Sequence, residues 1–205
     1  MSLTFPVGGS GGDFKRVPAG SHIAVCNLVA DVGLQPGSGQ YPKPRRKVYI
    51  RFEVPGERVE FEKDGKTVEG PLAIGSFFTA SMNEKAVLRK ALEGWRGKAF
   101  TDEEAASFDV SSILGKPCML SVVEDTYNGK TYSNIASISG VPKGVPAPKA
   151  ENALLFYSDD KPDQYDALPE WLRKKIDTQI EAVPATEKAA PAGGRADEFE
   201  DSIPF

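Results

Sequence analysis

The chain has 205 residues, of which 40% are hydrophobic, enough for one packed domain with long appendages. It has no apolar run long enough to cross a membrane and no basic-then-apolar start typical of a secretion signal, so we expect a cytoplasmic protein without a membrane partner. Two cysteines and one histidine predict buried reduced thiols and supply no zinc-ligand spacing, so no metal or cofactor is expected.

Charge is distributed unevenly along the chain. The formal net charge is -4, yet cations outnumber carboxylates over residues 1–51, and the last ten residues contain four carboxylates and no cation. A basic front and an acidic end predict a polyanionic partner and a tail that competes with it.

The first part of the chain is predicted to contain a flexible segment, a strand and a loop. Residues 1–14 contain GGSGG and are expected to be flexible. Residues 20–32 are rich in β-branched side chains and predict the first strand. A Gly- and Pro-rich loop over 33–46 follows, with cations at its far end.

The segment KVYIRFEV (47–54) predicts the second strand by strict alternation. One face, expected to be buried, holds Val48, Ile50, Phe52 and Val54. The other face, expected to point outward, holds Lys47, Tyr49, Arg51 and Glu53.

A hairpin turning at Asp64-Gly65 leads to a third strand over 72–81. Of the adjacent Phe77 and Phe78, one must face the core, and the other could line a groove.

The middle of the chain changes to helical periodicity. Residues 83–95 predict a helix with Asn83 as its cap. Thr101 and Glu104 have the spacing of a capping box, which predicts a second short helix.

Two more strands are predicted over 116–125 and 130–141, joined at Asn128-Gly129, the strongest hairpin signal in the chain. Residues 166–182 predict one helix with Pro169 in its first turn. Its apolar stripe consists of Trp171, Leu172, Ile176 and Ile180.

Five strands with helices between the third and fourth match the order of an OB-fold barrel. The predicted fold is mostly β with short helices: a five-stranded OB-fold-like barrel with inserted helices, a C-terminal helix and a disordered acidic tail. A jelly roll or an open α+β sheet also agrees with the strand count. The predicted units are a flexible N-terminus (1–14), the OB-fold-like domain (15–141), an arm plus helix (142–182) and the tail (183–205).

The segment QYPKPRRKVYIR (40–51) interleaves cations with tyrosines. Single-stranded nucleic acid requires this combination, because cations neutralise phosphates and aromatic rings stack on unpaired bases. A solvated basic loop is the alternative interpretation. The strand-four/five hairpin lies where the opposite wall of a cleft would be. The predicted DNA-binding residues are Tyr41, Lys43, Arg45, Arg46, Lys47, Tyr49, Arg51, Tyr127, Lys130 and Tyr132.

Nothing in the sequence predicts an enzyme. A Walker loop is absent, and the Gly-x-Ser-x-Gly pattern within GGSGG (8–12) is not followed by the helix that a nucleophile elbow requires. His22, the single histidine, starts a strand, where a structural role is expected.

The sequence DEFEDSIPF at the end of the chain resembles the C-terminal tip of bacterial and phage single-stranded DNA-binding proteins, where an acidic run ends in Ile-Pro-Phe. Phe199 and Ser202 interrupt the acidic run. The inserted layout of the body and the LPEWLRKKI helix look more like the phage-encoded members. The residues that match the tip are Asp197, Glu198, Glu200, Asp201, Ile203, Pro204 and Phe205.

The resemblance implies an OB-fold protein that coats single-stranded DNA without sequence preference in phage replication, recombination and repair. It also implies a tail that recruits replication or repair proteins, and it leaves oligomer formation open. Two other classes agree with the residues: an RNA-binding or nucleic-acid chaperone barrel, and a nucleic-acid-free virion or interaction protein.

Overall fold

The computed structural model of the chain describes residues 15–37, 42–63 and 65–180. Five antiparallel strands form one curled sheet in the order β3-β2-β1-β4-β5, and a short sixth strand pairs with β1. The strands are β1 (Gly20–Gln35), β2 (Arg45–Lys63), β3 (Lys66–Thr79), β4 (Pro117–Tyr127), β5 (Lys130–Ser139) and β6 (Leu155–Tyr157). The helices are α1 (Val87–Arg96), α2 (Asp102–Ala106) and α3 (Glu170–Asp177), with 3-10 turns at Val110–Ile113 and Pro162–Ala167.

The long strand β1 bends the sheet into a half-barrel. Its first part, Gly20 to Val25, pairs with β4, and its remainder, to Gln35, pairs with β2. Register shifts at Cys26/Leu28 and Asp31/Gly33 mark irregularities, and bulges of this kind increase local bend and twist. The predicted OB-fold-like architecture is therefore confirmed, with the helices inserted between β3 and β4 as expected.

The concave side of the sheet encloses the main core. The face of β2 predicted to be buried is buried, with Ile50, Phe52 and Val54 each at most 1% exposed. Helix α1 covers one end through Leu88 and Leu92. These contacts remove large aliphatic and aromatic side chains from water, which stabilises the fold by roughly 1.5–3 kcal/mol for each one fully buried.

The convex side carries a second layer. Residues 142–180, here called the arm, return across β1 and β2. Leu168, Leu172 and Ile176 of the arm pack against Leu28 and Val32 on the outer face of β1. Strand β6 lies parallel to β1, pairing Leu155 with Leu28. The apolar segment NALLFYSDD, for which the sequence predicts no position, thus packs beside β1.

Local signals in the sequence predict the second helix correctly and the ends of the other two incorrectly. The capping box at Thr101 and Glu104 is present. Asn83, however, does not cap α1: Ala86 occupies the N-cap, and Asn83 Oδ1 accepts a hydrogen bond from the Lys85 amide instead. The single helix predicted over 166–182 is also wrong, since a 3-10 turn precedes Pro169 and α3 ends at Asp177.

Candidate nucleic-acid interface

The β4–β5 hairpin is set by its turn. Asn128 and Gly129 both have positive φ, 51° and 71°, the backbone conformation of a type I′ turn, whose twist matches that of the flanking strands. Tyr127 lies opposite Lys130, and Asp125 lies opposite Tyr132. Directly opposed residues share one face of an antiparallel pair, so the three predicted hairpin residues stand together.

This face of the hairpin is exposed. Tyr127 is 68% exposed and Tyr132 is 46% exposed. The opposite face supplies Val122 and Ile135 to the core, so the fold does not use the two tyrosine rings for packing. The hairpin therefore presents two aromatic rings and the Lys130 ammonium to solvent, with the exposed Asp125 carboxylate on the same face.

The basic loop is only partly available. Lys43 is exposed and Arg45 is half-buried at the start of β2, while Tyr41 lies outside the described residues. Lys47 Nζ donates a hydrogen bond to Thr79 Oγ1 at 2.9 Å. Arg46 Nε donates to Asp31 Oδ2 at 2.8 Å, and its Nη2 lies 3.4 Å from Asp159 of the arm.

The Arg46 guanidinium is thus engaged by two carboxylates of the same molecule. The hydrogen bond to Asp31 raises the pKa of this arginine above its ordinary value, because it favours the charged form. A phosphate would have to compete with both carboxylates, which makes Arg46 a poor phosphate contact.

Tyr49 and Arg51 lie on the outer face of β2 but are not exposed there, which corrects the expectation from strand alternation. Both are buried, because the arm covers that face of β2. The Tyr49 ring packs on Phe77 at 4.8 Å and against Trp171 at 5.1 Å between ring centroids. Burial raises the pKa of the Tyr49 hydroxyl to about 12. Arg51 Nε donates to Asn27 Oδ1 at 3.0 Å, and burial lowers its pKa.

A signal for this cover was present in the sequence. The run AVCNLVA in the first strand (24–30) is apolar on both faces, which is typical of strands covered on both sides. Both faces of β1 are indeed buried along this run.

Glu53, on the same face of β2, fastens the arm. Its carboxylate is fully buried and accepts hydrogen bonds from the backbone amide of Glu151 at 2.8 Å, the amide of Asn152 at 3.2 Å and Asn27 Nδ2 at 2.8 Å. The arm is therefore held by charge-assisted hydrogen bonds as well as by apolar packing.

The half-barrel is open between β3 and β5. Within the described ranges, β3 pairs only with β2, and β5 pairs only with β4. The opening is a groove of about 580 Å³, here called the seam groove, with α1 along one side. Its lining consists of Lys47, Ser76, Phe77, Phe78, Thr79, Val87, Lys90, Ala91, Gly94, Ile135, Ala136, Ser137 and Ile138.

Phe77 and Phe78 divide as expected. Phe78 is buried in the core, and Phe77 is 42% exposed and lines the seam groove. Lys90 was not among the predicted site residues, because helical periodicity identifies the buried face of α1 and says nothing about what its polar face borders.

Other expected features have simpler surroundings. His22 Nε2 lies 2.8 Å from the carbonyl oxygen of Pro18. Across residues 15–37, 42–63 and 65–180, no group of three His, Cys, Asp or Glu side chains could hold a metal ion. None of the helices in the same part of the chain has the length and apolar character to span a membrane. The tail residues from Asp197 to Phe205 lie outside the described residues.

No family model matches the chain, and neither a curated protein nor a solved structure matches it. Its function must therefore be argued from its own residues.

Proposed function

We propose that this chain binds single-stranded DNA without sequence preference, and protects it during phage DNA replication, recombination and repair in the cytoplasm of the host cell. The observation that supports this most is the exposed hairpin face of Tyr127, Lys130 and Tyr132 on an OB-like half-barrel. Rings that the fold does not need for packing are suited to stacking on bases.

The chemistry of this face accounts for the lack of sequence preference. Each base has a π-face, so stacking on Tyr127 and Tyr132 accepts any base, and it contributes roughly 1–3 kcal/mol per base. Lys130, between the two tyrosines on the same hairpin face, meets the phosphate backbone as a point charge. The exposed Lys43 of the loop adds a further cation.

The tail has a separate role in this proposal. Its support is the sequence resemblance alone. A partner protein would accept the Phe205 ring in an apolar pocket and pair a cation with its terminal carboxylate. Asp201 and Glu200 would form ion pairs with basic residues around that pocket. Through these contacts the tail would recruit replication or repair proteins to the coated DNA strand.

A fluorescence titration of oligo-dT of about 30 nucleotides tests the DNA-binding proposal, since this length exceeds the site size of one OB-fold. We expect tight, salt-sensitive binding to oligo-dT and little binding to a matched hairpin duplex. Equal binding to both, or no binding at low salt, would contradict the proposal and favour a nucleic-acid-free interaction protein. Preference for a matched RNA oligonucleotide would favour the RNA-binding alternative.

Two pairs of variants then assign the binding to the hairpin. Tyr127→Ala and Tyr132→Ala should each weaken binding about tenfold or more, because each removes one stacking ring. Tyr127→Phe and Tyr132→Phe are the matched controls and should bind like the parent, because the ring remains. Both tyrosine side chains are exposed, so thermal unfolding of all four variants should match the parent, and a folding defect would be visible.

A further inference from the structure

The seam groove has the chemistry of a second part of the binding track. We infer that single-stranded nucleic acid passes through the seam groove, with a base on Phe77 and phosphates at Lys47 and Lys90. This inference rests on the proposed function and extends it from the hairpin to the open side of the barrel.

Charge points to a polyanion as the occupant. The lining includes two lysines and no Asp or Glu. Lys90 is exposed, and the nearest carboxylate on its helix, Glu93, accepts hydrogen bonds from Arg89 Nε at 3.1 Å and the Phe100 amide at 3.0 Å. The Glu93 carboxylate is thus bound to Arg89 and to the Phe100 amide, and these contacts do not include Lys90.

Phe77 is a braced aromatic platform. Its ring lies 4.8 Å from Tyr49 and 6.2 Å from Trp171, measured between centroids. These contacts hold the ring in place, while its remaining surface lines the groove. A ring fixed before binding loses little side-chain entropy when a base stacks on it.

The arm explains why the track runs here. It buries Tyr49 and Arg51 on the outer face of β2, so that face is closed to a ligand. Leu168 and Leu172 of the arm are fully buried against the outer face of β1, so displacing the arm would expose large aliphatic side chains to water. A bound single strand of DNA would therefore follow the open side of the barrel rather than displace the arm.

The seam groove and the hairpin face both include residues of strand β5. Ala136 and Ser137 of β5 line the groove, and Tyr132 and Lys130 lie further along the same strand toward the turn. At about 3.4 Å per residue, Ser137 and Tyr132 are roughly 17 Å apart. A short stretch of extended nucleic acid spans that distance, so one DNA strand can contact both the seam groove and the hairpin face.

The test compares two groove variants with one control variant, which is charge-matched to Lys90→Ala, in oligo-dT titrations of the full chain. Phe77→Leu keeps apolar packing against Tyr49 and removes the stacking face, and should weaken binding about tenfold. Lys90→Ala should make the log–log salt slope shallower by about 0.7. Lys174→Ala, which removes a cation that is 72% exposed on α3 and paired with Glu170, is the control and should change neither quantity.

Photocrosslinking gives a readout that is independent of variant stability. Oligo-dT carrying 5-iodouracil should crosslink to the peptide that contains Phe77 as well as to the hairpin peptide. Crosslinks confined to the hairpin would overturn the inference.

The failures of the two proposals are distinguishable. If the parent chain does not bind oligo-dT, the proposed function itself fails. If the parent binds, the Tyr127→Ala and Tyr132→Ala variants bind weakly, and the Phe77→Leu and Lys90→Ala variants bind normally, only the seam-groove inference fails. A change in sedimentation mass for Phe77→Leu, with DNA affinity unchanged, would identify the groove as an interface between copies of the chain and would also overturn it.

Discussion

Single buried polar groups in this protein connect parts that are distant in the sequence. The Glu53 carboxylate accepts hydrogen bonds from the backbone amides of residues 151 and 152, and the Asn27 side chain bridges Glu53 to Arg51. Each member of this network satisfies another, and the side chains of Asn27 and Glu53 are shielded from water. The network therefore positions the arm as well as stabilising it.

Glu53→Ala should lower the free energy of unfolding by roughly 3 kcal/mol, because it leaves two arm amides and the Asn27 amide group without their acceptor in a buried site. Urea unfolding followed by circular dichroism measures this change. Glu60→Ala, at an exposed position of the same strand, is the matched control and should stay within about 0.5 kcal/mol of the parent. Equal stability of the two variants would show that Glu53 does not fasten the arm.

The two thiols predict a decline of stability at high pH. Burial raises the pKa of the Cys26 thiol to about 12 and also raises the pKa of Cys118. In the unfolded chain both would ionise near their ordinary value of about 8.5. Above that pH only the unfolded chain releases these protons, so the contribution of the neutral thiols to stability is lost progressively as pH rises toward the folded values.

The measurement is urea unfolding from pH 8 to pH 10.5 for the parent and for a variant with Cys26→Ala and Cys118→Ala. The double variant should lose less stability across this window than the parent. In native protein a thiol reagent at pH 8 should modify neither cysteine, whereas both should react in urea. Rapid labelling of the native protein would contradict the burial of the two thiols.

Secondary elements were predictable where the signal was local. The Asn128-Gly129 turn and the Thr101 capping box depend on a few adjacent residues, and both are present. The burial of Tyr49 was not predictable from alternation, because alternation distinguishes two faces and does not say whether a later segment covers the second one. Strand β6 has three residues and depends on β1 for its pairing, so its own sequence holds little signal.

The candidate site divides in the same way. The positions of Tyr127, Lys130 and Tyr132 on one hairpin face could be predicted, because the Asn128-Gly129 turn sets the register between β4 and β5. The seam groove depends on how far the sheet curls, which the bends of β1 decide, so its Phe77 could be suggested from the sequence whereas its Lys90 could not.

Helix α3 contributes to stability through one face. Leu172→Ala should cost roughly 2–5 kcal/mol, because Leu172 is fully buried against the outer face of β1 and its truncation leaves a cavity. Ile180→Ala is the matched control, since Ile180 is half-exposed beyond the end of the helix, and it should cost well under 1.5 kcal/mol. Thermal or urea unfolding of both variants measures the difference, and similar losses would contradict the packing of α3.

At the scale of the molecule, the charge that is useful for binding is distributed differently from the charge in the sequence. Arg46 and Arg51 serve internal contacts, while Lys90 and Lys130 extend the basic surface away from the loop. If Lys43, Arg45, Lys47, Lys90 and Lys130 each contact a phosphate, the log–log salt slope for oligo-dT should be near -3.5, at about -0.7 per contact.

Single substitutions separate the two kinds of cation. Lys130→Ala should make the slope shallower by about 0.7, and Arg46→Ala should leave the slope unchanged while lowering the melting temperature, because it breaks the pairing with Asp31. Titrations at several salt concentrations give the slopes. A shallower slope for Arg46→Ala would show that DNA displaces Asp31 and Asp159 from this arginine.

The double cover of β1 has a consequence for how the chain folds. This strand emerges early in synthesis, yet its outer neighbours come from the arm: Gln35 and Lys175, 140 positions apart, are joined by a hydrogen bond. Contacts of such long sequence separation form slowly. Until they form, Leu28 and Val32 face water beside an unpaired strand edge, a combination that promotes aggregation. Strand β1, which is central to the folded protein, is therefore the segment most prone to aggregation during synthesis. Chains that stop before the arm should depend most on chaperones.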